Sequence, residues 1–97
     1  MTGNASSHPT LHILNKSPEH PRYTTCMQVL AQEDTLVLIE NGVFAAAIAQ
    51  PEFPCQVFAL AADIKARALE RSCGDIKTID YDRLVQLTAN HEKIISW

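Results

Sequence analysis

"TLVLIENGVFAAAIA", residues 35–49, decides how the chain is read. From Thr35 to Glu40 the apolar side chains run nearly without interruption and do not alternate with polar ones. A strand with one wet face alternates, whereas a strand covered on both faces does not. The stretch is therefore expected in the interior of a parallel sheet. It then passes through "ENG" into a short alanine-rich helix, Val43 to Ala49, which Pro51 and Pro54 stop.

Three further apolar, β-branched segments lie on either side: Leu11 to Asn15, Gln56 to Leu60 and Ile76 to Tyr81. Parallel strands need long crossovers, and the intervening stretches carry helix signals. Pro21 can open the first helix, with Cys26, Val29 and Leu30 sharing its inward face. Asp63 can cap the third, which turns Ile64 and Ala68 inward and Lys65 outward; Asp80 can cap the fourth, which buries Leu84, Val85, Leu87 and Thr88. A last apolar piece, "KIISW", is expected as a fifth strand at one edge. The fold class is thus α/β: a three-layer α/β/α sandwich around a mainly parallel sheet of four to five strands, with right-handed crossovers placing helices on both faces.

The chain has 97 residues, 46% of them apolar, enough for one modest core. Residues 1–10 are polar and aperiodic and are expected as a disordered extension; residues 11–97 form one domain. The longest apolar run, Val43 to Ala49, falls short of the roughly 20 residues that span a bilayer, and the start lacks a secretory pattern, so a cytoplasmic protein is expected. A formal charge of −3 gives no footprint for a phosphate backbone, which argues against direct binding of nucleic acid.

Sites in wound sheets gather at the carboxyl ends of the strands, here "NKSP", "ENG", "AAD" and "DYD". Glycine occurs only at positions 3, 42 and 74, which excludes GxGxxG and P-loop patterns. Gly42 reads as a turn that needs positive φ or a close backbone approach. His8, His12, His20 and His91 lack metal-ligand spacing, and no metal is assigned. Glu40, Asp63, Asp80 and Asp82 fall at strand ends as in receiver domains, but capping explains Asp63 and Asp80 more simply, and no acidic doublet follows the first strand.

Three cysteines without CxxC spacing imply reduced thiols. Cys26 has two readings. If its helix begins near Thr24, first-turn amides and the nearby Lys16, His20 and Arg22 favour a thiolate; if it begins at Pro21, that benefit fades and Cys26 is core packing beside Val29 and Leu30. Cys73 lies in the turn-like "RSCGD" and reads as an exposed loop thiol; Cys55 reads as packing.

"LHILNKSP", an early cysteine in the first helix, "LVLIENGVFAA", "VFALAADIKARAL", "IKTIDYDRLVQLT" and a terminal tryptophan, in this order, resemble the TusB/DsrH family. The resemblance covers Leu11 to Trp97 and implies a DsrE-like α/β/α fold. It further implies a cytoplasmic subunit of a sulfur-relay (sulfurtransferase) complex that passes persulfide sulfur between carriers. The partners it implies are TusC/TusD-like or DsrF/DsrE-like subunits in a dimer of heterotrimers, with TusA-like donors and TusE- or DsrC-like acceptors. The destination is 2-thiolation of the tRNA wobble uridine or, alternatively, dissimilatory sulfur oxidation. The principal catalytic cysteine is expected on a partner, with Cys26 as candidate persulfide carrier or carrier-docking thiol, and no cofactor is required. A structural or docking subunit without sulfur carriage is the rival reading, and a stand-alone receiver-like domain, which predicts a stable monomer, is a third.

Overall fold

A computed structural model describes residues 8–48 and 53–97. Five strands, β1 (Thr10–Leu14), β2 (Thr35–Leu38), β3 (Gln56–Leu60), β4 (Lys77–Ile79) and β5 (Lys93–Ser96), form one sheet in the order β4-β3-β2-β1-β5. Every pairing is parallel. The helices are α1 (Pro21–Val29), α2 (Ala61–Ala66) and α3 (Tyr81–Ala89), with a 3₁₀ segment at Glu40–Ala46. The α/β reading and the terminal edge strand hold. Thr10, assigned to the extension, instead opens β1 and is buried; Met1 to Ser7, and Pro51 as a helix stop, lie outside the described residues.

The central position of β2 follows from its composition. Leu36, Val37 and Leu38 are all fully buried, so both faces of the strand are covered. Each such side chain contributes about 1.5–3 kcal/mol of burial free energy. One face carries Leu14, Leu36, Leu38, Val57 and Ala59, which pack with Tyr23 and Cys26 of α1, Val43, Ala45 and Ala46 of the 3₁₀ segment, and Ile64 of α2. On the opposite face Leu11, Val37 and Ile79 meet Leu87 of α3, and Ile13, Ile39, Phe58 and Leu84 are only half-buried there. Three helical pieces therefore cover one side and a single helix the other. Strand order explains this: steps from β1 through β4 run one way across the sheet, and the crossover carrying α3 returns from one edge to the other.

Helix starts are set locally. Pro21 stands at the first position of α1, and His20 caps it, its Nδ1 accepting the Arg22 N–H at 3.0 Å. Asp80 caps α3 by accepting the Arg83 N–H at 2.8 Å. Asp63 does not cap α2, whose N-cap is Leu60; it lies in the first turn and accepts the N–H of Glu40 instead.

Five readings of the helices and strands are corrected. The alanine-rich connection is 3₁₀, not α, because it begins three residues earlier, at Glu40, in a turn bound to the end of β1. Val29 is 49% and Val85 62% exposed, since each helix is short and only the residues nearest the sheet, Tyr23 and Cys26 in α1 and Leu87 in α3, are buried. Ala68 lies beyond α2 with φ 54° and is exposed. β4 keeps only the middle of Ile76 to Tyr81, because Asp80 and Tyr81 are taken into the start of α3.

Candidate functional site

The carboxyl edge of the sheet is built by the turn after β2. Ile39 donates its N–H to Leu14 O at 3.0 Å, and Gly42 donates back to Ile39 O at 2.8 Å. A Cβ on Gly42 would lie 2.2 Å from Leu14 O, so glycine is needed for close approach. The left-handed residue of this turn is Glu40, at φ 49°, held there by its N–H donating to Asp63 Oδ2 at 2.7 Å. Arg67 fastens the same turn from α2: its Nε and Nη2 donate to Asn41 Oδ1 at 3.2 and 3.1 Å, its Nη1 lies 3.5 Å from Asp63 Oδ1, and its guanidinium sits over the Phe44 ring. Asp63 and Asp80 are thus occupied by backbone amides and Arg67 as structural acceptors, which takes two of its four acids from the receiver-like reading.

At the neighbouring strand ends, Lys16 Nζ donates to Asn15 Oδ1 and to Trp97 O, both at 2.6 Å. Arg22 lies over the Trp97 ring, 5.5 Å from its centroid. These cations, expected beside Cys26, serve Trp97 instead.

Cys26 sits in the second turn of α1, past the first-turn amides, and its side chain has no accessible surface. Burial pushes its thiol up to about 12, and the neighbouring Cys55 adds to the rise. Of the two readings of Cys26 the structure has the packing one: α1 begins at Pro21, and the thiol is buried in the core cluster that also holds Leu14, Tyr23, Leu36 and Leu38. Cys73, expected exposed, is buried and donates its S–H to Glu70 O at 3.6 Å. Cys55 is half-buried at the amino edge, where Phe53, Gln56, Val57, Asp75, Ile76 and Lys77 shape an open recess of about 410 Å³ around it. Burial, then the charge of Asp34, pushes its thiol up to about 11. We expect alkylation near pH 8 to label native Cys26 only as fast as the chain unfolds, tracked by peptide mass spectrometry; labelling at the rate of a free thiol would contradict the enclosure. Cys26→Ser is expected to cost about 1–3 kcal/mol in urea denaturation, from a hydroxyl placed among apolar groups.

The most connected polar group in the core is one the sequence reading passed over. Asp34, just before β2, is 7% exposed; its Oδ1 accepts the Thr10 N–H at 3.0 Å, and its Oδ2 accepts His12 Nε2–H at 2.9 Å and the Ala31 N–H at 3.0 Å. Burial alone would push its carboxyl up, but these three donors outweigh that and hold it below the usual carboxylate range. His12 Nδ1 accepts the indole N–H of Trp97 at 3.1 Å, and the two rings are stacked. The only sequence signal was an acid placed directly before an apolar run. Of the other histidines, His8 pairs with Glu92 at 2.9 Å, His91 donates to Leu87 O at 2.7 Å and His20 is the cap. Among the described residues no group of three or more His, Cys, Asp or Glu side chains is placed to hold a metal, and no helix is long and apolar enough to cross a membrane.

Comparison with known proteins places this arrangement. The family described as DsrH like protein matches residues 16–94. Protein TusB of Escherichia coli O81 (strain ED1a) is 34% identical over 94 residues, covering 90% of this chain and 99% of that one. Protein TusB of Pectobacterium atrosepticum is 33% identical over the same length, with the same coverage. Among solved structures, the NMR structure of Protein Tm0979 from Thermotoga maritima superposes with a TM-score of 0.69 at 30% identity, over 87% of this chain and 95% of that one. A second NMR structure of that protein, described there as a candidate sulfur transferase, gives 0.58 at 34% identity, over 73% and 80% of the two chains.

Proposed function

Because the chain belongs to the DsrH-like family, we propose that it is a non-autonomous subunit of a sulfur-relay complex, one that shapes and docks while a partner's cysteine carries the sulfur. The similarity to TusB along nearly the whole length of both chains favours tRNA wobble-uridine 2-thiolation over sulfur oxidation as the pathway served. The proposed partners are homologous TusC/TusD-like subunits in a dimer of heterotrimers, with TusA-like and TusE-like carriers arriving in the cytoplasm.

The observation that carries the docking role is the enclosure of the Cys26 sulfur. In a relay step a carrier thiolate attacks the outer sulfur of a donor persulfide and the donor leaves as a thiolate, which requires a reachable, ionised sulfur. A thiol without surface and raised to about 12 meets neither need. The need for partners is supported by the half-covered second face, where α3 leaves Tyr81 61%, Val85 62% and Ile94 43% exposed.

The test replaces Cys26 by alanine in the complex assembled with the neighbouring subunits and follows sulfur transfer from a persulfidated donor. The rate is expected within about twofold of wild type, with no sulfur adduct on Cys26 by mass spectrometry. An adduct there, or a loss of tenfold or more in a complex that still assembles, would overturn the docking role. Deleting the gene is expected to remove 2-thiouridine from tRNA, and an unchanged level would reject the tRNA pathway.

A further inference from the structure

His12 is 2% exposed and both of its ring nitrogens are engaged. An indole N–H can only donate, so Nδ1 must be bare where it meets Trp97, and the ring proton sits on Nε2, facing Asp34. The imidazole is thereby fixed as one neutral tautomer. A second proton can go only onto Nδ1, where it would set N–H against N–H.

We propose that His12 is an acid-operated latch on Trp97: protonation strengthens its bond to Asp34 and in the same act ejects the indole from Nδ1. The two effects oppose each other across one ring, so acid exchanges one contact for another and leaves the sheet intact. Asp34 on one side becomes the partner of a full imidazolium. Trp97, half-buried at the end of β5, loses its only side-chain acceptor among the described residues, while its main-chain N–H remains on Ile13 O. What moves is the indole, and with it the seat of Arg22 and the neighbourhood of Lys16, whose Nζ is bound to Trp97 O. The latch thus governs how two cations and an aromatic ring are displayed at the carboxyl rim.

The charged and titratable groups around this ring are few. Asp34 faces Nε2 from the turn before β2 and Trp97 faces Nδ1 from β5. Tyr23 and Cys26 of α1 and Cys55 before β3 lie in the same apolar cluster, and burial keeps their protons on at neutral pH. Arg22 and Lys16 lie outside, against Trp97. Among these groups His12 is the one whose gain of a proton is tied by hydrogen bonds to both Asp34 and Trp97.

Trp97 is the only tryptophan of the chain, so its emission reports the latch directly. The full chain is titrated from about pH 8 to pH 5, reading Trp97 fluorescence, its accessibility to acrylamide and, by NMR, the Trp97 indole N–H alongside the His12 ring nitrogens. The expected result is a red shift, increased quenching and faster indole N–H exchange, all following the protonation of His12, while far-ultraviolet circular dichroism stays constant. His12→Gln, whose amide can accept from Trp97 and donate to Asp34 without titrating, is expected to abolish the pH response. A His12 that gains its proton while the indole resonance stays in place would overturn the latch, as would emission independent of pH or a response surviving in His12→Gln. The wild-type NMR arm decides even if that variant folds poorly.

Discussion

Gly42→Ala is expected to destabilise the fold by about 3 kcal/mol, the cost of forcing a methyl into backbone that is already in contact. The added carbon would stand 2.2 Å from Leu14 O and 3.0 Å from Leu14 C, both backbone atoms that no rotamer change can move aside. Relief requires the turn after β2 to withdraw from the end of β1. That withdrawal stretches the Ile39 N–H bond to the same Leu14 oxygen and loosens the turn that Asp63 and Arg67 hold. In thermal unfolding the loss corresponds to roughly 10 °C or more for a domain of this size. A midpoint lowered by less than about 4 °C, equivalent to under about 1 kcal/mol, would show that the strand end yields easily and that the turn is not rigid.

Asp34→Ala is expected to cost about 3–5 kcal/mol, the scale for leaving several buried donors without their acceptor. It strands three donors at once, the N–H groups of Thr10 and Ala31 and Nε2–H of His12. Asparagine does not rescue the site: Oδ1 accepts one bond and Oδ2 two, so the amide nitrogen meets a donor whichever way it is turned. The same residue predicts an acid limb. The folded-state pKa of Asp34 is depressed, so its contribution is complete above the unfolded carboxylate value of about 3.9 and is lost as pH falls below that value through the folded one, where the unfolded chain takes up the proton first. Urea midpoints measured from neutral pH down into that window should fall more steeply for wild type than for Asp34→Ala. Parallel slopes would mean that other carboxylates drive acid unfolding.

The strands were legible because burial on both faces writes itself as uninterrupted aliphatic sequence, and Leu36, Val37 and Leu38 are its clearest case. The helices were legible as elements but not as faces. A helix of nine residues makes only about two and a half turns, so few of its residues reach the sheet; Val29 and Val85 are exposed while Tyr23 is buried. Gly42 was assigned correctly to a close approach, but the positive φ belongs to its neighbour Glu40, stabilised by an acid 23 residues onward. That partnership, like the Asp34 to His12 bond across 22 residues and the His12 to Trp97 bond across 85, has no local pattern to betray it. For Cys26 the outcome turned on where its helix begins. Pro21 and the His20 cap settle it, setting the sulfur one turn too deep to profit from the helix end.

The return of the chain from β4 at one border of the sheet to β5 at the other has a bearing on synthesis. β1 emerges first from the ribosome, yet one of its borders is matched by Lys93 to Ser96, the latest strand to appear. Until then the nascent sheet can zip from β1 to β4 but leaves the β5-facing border of β1 unmatched, a vacant groove open to any extended peptide nearby. Closing it is a contact of very long sequence separation, slow by its topology, so that border of β1 stays open to wrong pairings longer than any other in the sheet.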